Sequence, residues 1–214
     1  MDIIKKILDN NHGPYTIAEV GINHNGNVSI AKKLIKKAYE SGVSSVKLQT
    51  FKAESMCLQS SPYYSLFKQC ELSSNEIIEL NSYANDIGIT LFSAVFDEWA
   101  VDLWASLNPP LIKIASGDIT HIPLIKYTAL TGIPMILSTG GSSIEEIENA
   151  IDAIRLVNKK SSIALLHCVS NYPTNIEKVN LNCMEEMKNK FKVPIGFSDH
   201  TIDNIASISA VAKG

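Results

Sequence analysis

The stretch VPIGFSDHT (193–201) runs from apolar residues through a glycine into Ser198, Asp199, His200 and Thr201. A strand that finishes in four consecutive polar side chains either enters a solvated loop or ends at a reaction site, with His200 as metal ligand or proton carrier. Similar endings recur along the chain. YTIAEVGI (15–22) carries Glu19, SVKLQTF (45–51) carries Lys47 and Gln49, and LIKIAS (111–116) carries Lys113 and Ser116 with Asp118 just beyond. PMILST (134–139) reaches Ser138 before the paired glycines of STGG, and IALLHCV (163–169) holds His167 and leads into Asn171 and Tyr172.

Side chains two apart on a strand share a face, so Lys47 and Gln49 point one way while Val46 and Leu48 point the other. Lys113 sits between Ile112 and Ile114, and Glu19 between Ala18 and Val20. A charge flanked by apolar neighbours in a strand buried on both faces needs a partner, because burying it alone costs several kcal/mol. Two lysines facing a shared interior repel unless an anion lies between them, which predicts a phosphate- or carboxylate-bearing ligand. Each feature taken singly has a plainer reading. NHNGN (23–27) is a turn, STGG is a glycine turn before a capped helix, and a lone strand lysine snorkels to solvent. The plain readings explain their joint placement at successive strand ends poorly.

The elements that must position these residues follow from local pattern. Seven short apolar or β-branched runs, at 15–22, 45–51, 89–95, 111–116, 134–139, 163–169 and 194–199, read as strands. Between them helical spacing recurs: Ala31, Leu34, Ile35 and Ala38 form one stripe, with Gly42 as its stop. Ser73 with Glu76 makes a capping box before Ile77, Leu80, Ala84 and Ile87, closed by Gly88, and Ser143 with Glu146 repeats it before Ile147, Ala150, Ile151 and Ile154. Strands alternating with helices predict a parallel α/β fold. GxGxxG does not follow the first strand and no GxxxxGK[ST] loop occurs. Polar residues at nearly every strand end favour a (β/α)8 TIM-type barrel over an open sheet, although only seven of its eight strands are counted.

The 214 residues, 45% hydrophobic and 19% charged, suffice for one barrel domain spanning 1–214. A net charge of −3 gives no electrostatic reason to expect nucleic acid or an anionic membrane. No apolar run is long enough to span a bilayer. Cys57, Cys70, Cys168 and Cys183 lack CxxC spacing, Cys168 reads as a small buried thiol, and the expectation is a soluble cytoplasmic protein with reduced thiols.

Taken in order, IAEVGINHNG (17–26), SVKLQTF, KIASGDI (113–119), STGG, LLHCVSNYPT (165–174) and GFSDHT (196–201) resemble the sialic acid synthase family. That family includes N-acetylneuraminate, legionaminate and pseudaminate synthases and spore-coat polysaccharide proteins. The resemblance implies a Mn2+- or Mg2+-dependent condensation of phosphoenolpyruvate with an N-acetylated mannose-type sugar, releasing phosphate. Residue by residue, it implies that His200 ligates the metal and that Lys47, Gln49, Lys113, Ser116, Ser138 and Ser198 hold phosphoenolpyruvate. The resemblance further implies that Glu19 orients water or sugar, that Asp118 lies near the sugar aldehyde, and that Asn171 and Tyr172 lie beside the phosphoenolpyruvate pocket. His167 is a structural neighbour or a site residue with equal weight.

The family pattern further implies a homodimer when full length, a second metal-binding histidine on an eighth strand, and an antifreeze-like C-terminal domain that supplies an arginine to the partner's site. Neither segment is found before Gly214, and IDNIAS replaces a glycine-containing segment after SDHT. The expectation is therefore a barrel truncated before its eighth strand. A lysine aldolase acting through Lys113 or Lys47, and a non-catalytic remnant that binds anions or a protein partner, remain alternatives. The sugar acceptor stays open, and the long connection 52–72 is expected to shape or cover its pocket.

Overall fold

A computed structural model describes Ile4 and residues 13–214. Tyr15–Ile112 form one compact unit, and Lys113–Gly214 make up the body of another. The first contains β1 (Ile17–Gly21), α1 (Val28–Glu40), β2 (Ser45–Thr50), α2 (Ala53–Met56), α3 (Tyr64–Cys70), α4 (Ser74–Ile87), β3 (Thr90–Val95) and α5 (Glu98–Ser106). The short strand β4 (Ile112–Ile114) spans the division. The second continues with α6 (Ile122–Leu130), β5 (Met135–Ser138), α7 (Ile144–Val157), β6 (Ile163–His167), α8 (Asn182–Phe191), β7 (Ile195–Phe197) and α9 (Ile205–Lys213). Among the described residues seven strands are present, matching the sequence count, with ends at most two residues inside those expected.

The strand pairs are parallel, as helical connections require. In the first unit β1 pairs β2 and β2 pairs β3; in the second β5 pairs β6 and β6 pairs β7. Both capping boxes form, each worth about 1 kcal/mol to its helix. Ile77, Leu80 and Ala84 then face the core from α4, and Ile147, Ala150, Ile151 and Ile154 do so from α7. Gly88 ends α4 at φ 82°, a left-handed conformation that glycine adopts without steric cost.

Buried polar groups are satisfied in a directed chain beneath β2 and β3. The Trp104 indole donates to Thr50 Oγ1 at 2.9 Å, Thr50 donates to Ser93 Oγ at 2.8 Å, and Ser93 donates to the Ala94 carbonyl. This chain carries Trp104, wholly buried on α5, into the core without an orphaned donor.

The NHNG turn after β1 is more than a surface turn. His24 is wholly buried, and its Nδ1 accepts the Gly26 N–H at 3.0 Å. Burial holds the imidazole pKa below its ordinary value, and the Gly21 carbonyl and Glu76 carboxylate only partly offset this. His24 is therefore neutral when folded, whereas the unfolded chain protonates it near pH ~6.5. Its contribution to stability is complete above that pH and is lost as pH falls toward the depressed folded pKa. The melting temperature should drop on mild acidification, and His24→Gln should flatten the dependence. Asp118, whose folded pKa is raised, acts with the opposite sign, so the difference between the two proteins is the informative quantity. Parallel pH curves for wild type and variant would remove His24 as the source.

Candidate active site at the strand ends

The strand-end residues fall into two sets, one in each unit. In the first, Glu19 and Lys47 are register partners on β1 and β2, so their side chains rise on the same face. They form an ion pair, with the Lys47 side chain 12% and the Glu19 side chain 46% exposed. This corrects the expectation that an anionic ligand is needed to balance Lys47: the neighbouring strand already supplies a carboxylate. The register slips between Glu19 and Gly21, and Gly21 has φ +53°. A Cβ at Gly21 would lie 3.0 Å from Glu19 Oε1, so the bulge and the glycine leave room for the carboxylate. Gln49 shares the half-buried face of Lys47, while Val46 and Leu48 are fully buried on the other, as strand parity predicts.

The connection 52–72 is built structure rather than a loose loop. Glu71 accepts the Ala53 N–H and the Lys52 ammonium, each at 3.0 Å, and pairs with Lys68 at 3.1 Å. Lys52 Nζ also lies 3.8 Å from the centre of the Trp99 ring. Tyr64 donates to Glu54 at 2.6 Å, which with Lys68 holds that exposed carboxyl down to about 2.

In the second set, Lys113 is buried on β4 and donates to the Ile114 carbonyl. The chain then turns through a single 3-10 turn, Ser116–Asp118. Ser116 Oγ accepts the Gly140 N–H at 3.0 Å and lies 3.2 Å from Cys168 Sγ. Gly140, within STGG, is enclosed by three small polar side chains. A Cβ there would come 2.5 Å from Ser170 Oγ, 2.9 Å from Cys168 Sγ and 3.1 Å from Ser116 Oγ. Ser138, at the end of β5, is buried nearby in sequence. Asp118 is half-buried, and desolvation raises its pKa despite the opposing charges of His121 and Lys113.

His200 follows β7 in a defined orientation. Its Nδ1 donates to the Val169 carbonyl at 2.7 Å, since a carbonyl can only accept, and its Nε2 lies 3.4 Å from Ser198 Oγ. The Tyr172 ring covers the imidazole at a centroid distance of 4.2 Å, although Tyr172 itself is 78% exposed. Asn171 is exposed beside it. A neutral ring held through Nδ1–H presents its Nε2 lone pair, the arrangement that outer hydrogen bonds impose on metal-binding histidines. His200 thus fits one ligand position for a divalent ion. Among the described residues no group of three or more His, Cys, Asp or Glu gathers to complete a cage. His167 instead is buried and donates through Nε2 to the Val179 carbonyl at 2.7 Å, a structural bond.

The profile of the NeuB family matches residues 34–214. The chain belongs to the NeuB family. It is 45% identical to an uncharacterized protein, MJ1065, of Methanocaldococcus jannaschii, over 94% of this chain and 59% of that one. It is 37% identical to the N,N'-diacetyllegionaminic acid synthase of Legionella pneumophila, over 94% of this chain and 61% of the synthase. The crystal structure of an N-acetylneuraminic acid (sialic acid) synthetase from Leptospira borgpetersenii, in complex with citrate, superposes with a TM-score of 0.90 at 34% identity. That match covers 94% of this chain and 70% of the synthetase. The chain spans about 60% of the length of the two curated relatives.

In this NeuB-family chain, sequence reasoning missed several residues that hold the site in place. Asp199 accepts the Thr201 N–H at 2.9 Å and the Ser207 hydroxyl at 2.5 Å, tying the SDHT loop to α9. These bonds hold its carboxyl below the usual range despite its desolvation. Its Asp-x-Thr spacing, an Asx turn, was the available signal. An open cleft lined by Met184, Lys188, Ile195 and Lys213 lies at the N-terminal end of β7, opposite the end that carries Ser198 and His200. Among the described residues no helix is long and apolar enough to cross a membrane.

Proposed function

We propose that this chain is the (β/α)8-type catalytic part of a nonulosonic acid synthase. It joins phosphoenolpyruvate to the open-chain aldehyde of an N-acetylated mannose-type sugar and releases phosphate. The observation that carries the reading is the His200 ring, clamped through Nδ1–H with Nε2 left as an acceptor, within a NeuB-family chain. Relatives named as legionaminic, pseudaminic and N-acetylneuraminate-9-phosphate synthases support the substrate class. The same reading makes the complete protein a cytoplasmic homodimer.

A bound Mn2+ or Mg2+, held in part by His200, would supply Lewis-acid polarisation of the aldehyde. Lys47, Gln49, Lys113, Ser116, Ser138 and Ser198 hold the phosphate and carboxylate of phosphoenolpyruvate through charge-assisted and hydroxyl hydrogen bonds. Asn171 and Tyr172 border that pocket. As phosphoenolpyruvate C3 forms the bond to the aldehyde carbon, the aldehyde oxygen takes a proton from Asp118, which desolvation keeps disposed to carry one. Water then adds at C2 and gives a proton to Glu19, and the tetrahedral intermediate expels phosphate by breaking the C2–O bond.

The test uses the natural gene product with phosphoenolpyruvate, Mn2+ and a panel of N-acetylated mannose derivatives. Phosphate release should depend on both cation and sugar, and 18O placed in the bridging position should appear in the phosphate. Phosphoenolpyruvate binding without turnover on any sugar would favour an anion-binding remnant. Borohydride trapping of pyruvate on Lys113 or Lys47 would favour the aldolase.

A further inference from the structure

Thr174 has no place in the chemistry just described, yet it is 6% exposed and bonded on every side to the loop that orients His200. Its N–H donates to the His200 carbonyl at 2.7 Å. Its hydroxyl donates to the Asn171 carbonyl at 2.8 Å, and the Val169 carbonyl lies at a longer 3.3 Å from the same oxygen. That second carbonyl is the acceptor for His200 Nδ1–H. One buried side chain therefore closes the turn 169–174 upon itself while its backbone grips the residue whose ring the turn must meet. Tyr172, inside the same turn, lies over the His200 ring.

We propose that Thr174 is a positioning residue: its hydroxyl, bonded to the Asn171 carbonyl, closes the 169–174 turn and so places the Val169 carbonyl, and through it sets the tautomer and orientation of His200. A histidine ring has two neutral tautomers, and the one populated is set by the bond the other nitrogen makes. With the carbonyl held at Nδ1, the proton stays there and Nε2 keeps its lone pair. Without the Thr174 hydroxyl the turn is released, the carbonyl moves off the ring axis, and the proton redistributes to Nε2. The orientation argument stands on the hydrogen bonds themselves; its bearing on catalysis rests on the reading of His200 as a ligand.

The experiment reads the ring directly, so its outcome is separable from that of the activity assay. The chain is labelled with 15N-histidine and observed at alkaline pH, with His200 assigned by comparison with His200→Gln. Wild type should show the Nδ1–H tautomer. Thr174→Val should shift the tautomer ratio toward Nε2–H by about five- to tenfold, the equivalent of losing one intramolecular hydrogen bond. Thr174→Ser, which restores the hydroxyl, should keep the wild-type signature. Thr174→Ala provides a second hydroxyl-free variant should valine prevent folding. An unchanged Nδ1–H tautomer in either hydroxyl-free variant, or a serine variant that shifts as valine does, overturns the proposal.

Discussion

His200→Ala in the natural gene product should lower cation-dependent phosphate release at least about 100-fold while leaving the fold intact. Loss of an outer-shell partner alone costs metal sites about 10- to 100-fold, and removal of a ligand costs no less. The stability change should be small because the ring is half-buried and gives up its bond to the Val169 carbonyl, worth about 1 kcal/mol, and a long 3.4 Å contact with Ser198 Oγ. Turnover would be measured across a Mn2+ titration, beside a thermal melt. A variant with wild-type rates and unchanged cation dependence would exclude His200 as a ligand. A variant that no longer melts cooperatively would instead show that the imidazole is a structural strut.

The second large effect is on stability and comes from the NHNG turn. Gly26 has φ +73°, and a Cβ there would stand 2.0 Å from the Gln69 carbonyl oxygen, which is backbone and cannot swing away. Gly26→Ala should cost about 2–4 kcal/mol, combining the left-handed penalty with overpacking against α3. Gly42→Ala is the control. Its φ is +77° with nothing within 4 Å of the added carbon, so it should cost only the conformational part, about 1–2 kcal/mol. Denaturant unfolding gives both values, and limited proteolysis reports whether the 64–70 segment has come away. Equal costs at the two glycines would show that close docking on Gln69 is not what Gly26 serves.

Much of the architecture was legible in the chain because its signals are local. Strand alternation around Lys47 and Gln49, the capping boxes at Ser73 and Ser143, and the stop at Gly88 each depend on residues within a few positions of one another. Their physical origins, side-chain parity and unsatisfied helix N–H groups, act over the same short range. The polar strand ends were visible for the same reason, and their order carried the family resemblance. Pairings across long sequence separations were not visible. That Lys47 meets Glu19 follows from the β1–β2 register, 28 residues apart in sequence. That Gly140 is hemmed in by Ser116, Cys168 and Ser170 follows from three separate strand-end turns folding close together. Gly26 reads as part of an ordinary Asn-Gly turn until α3 packs against it, and Thr174 reads as one more loop threonine until β7 brings His200 within reach of the Val169 carbonyl. Local pattern determined which residues stand at the strand ends. Tertiary packing decided their partners, because charge balance, ring tautomer and the need for a missing Cβ are set by atoms from distant segments.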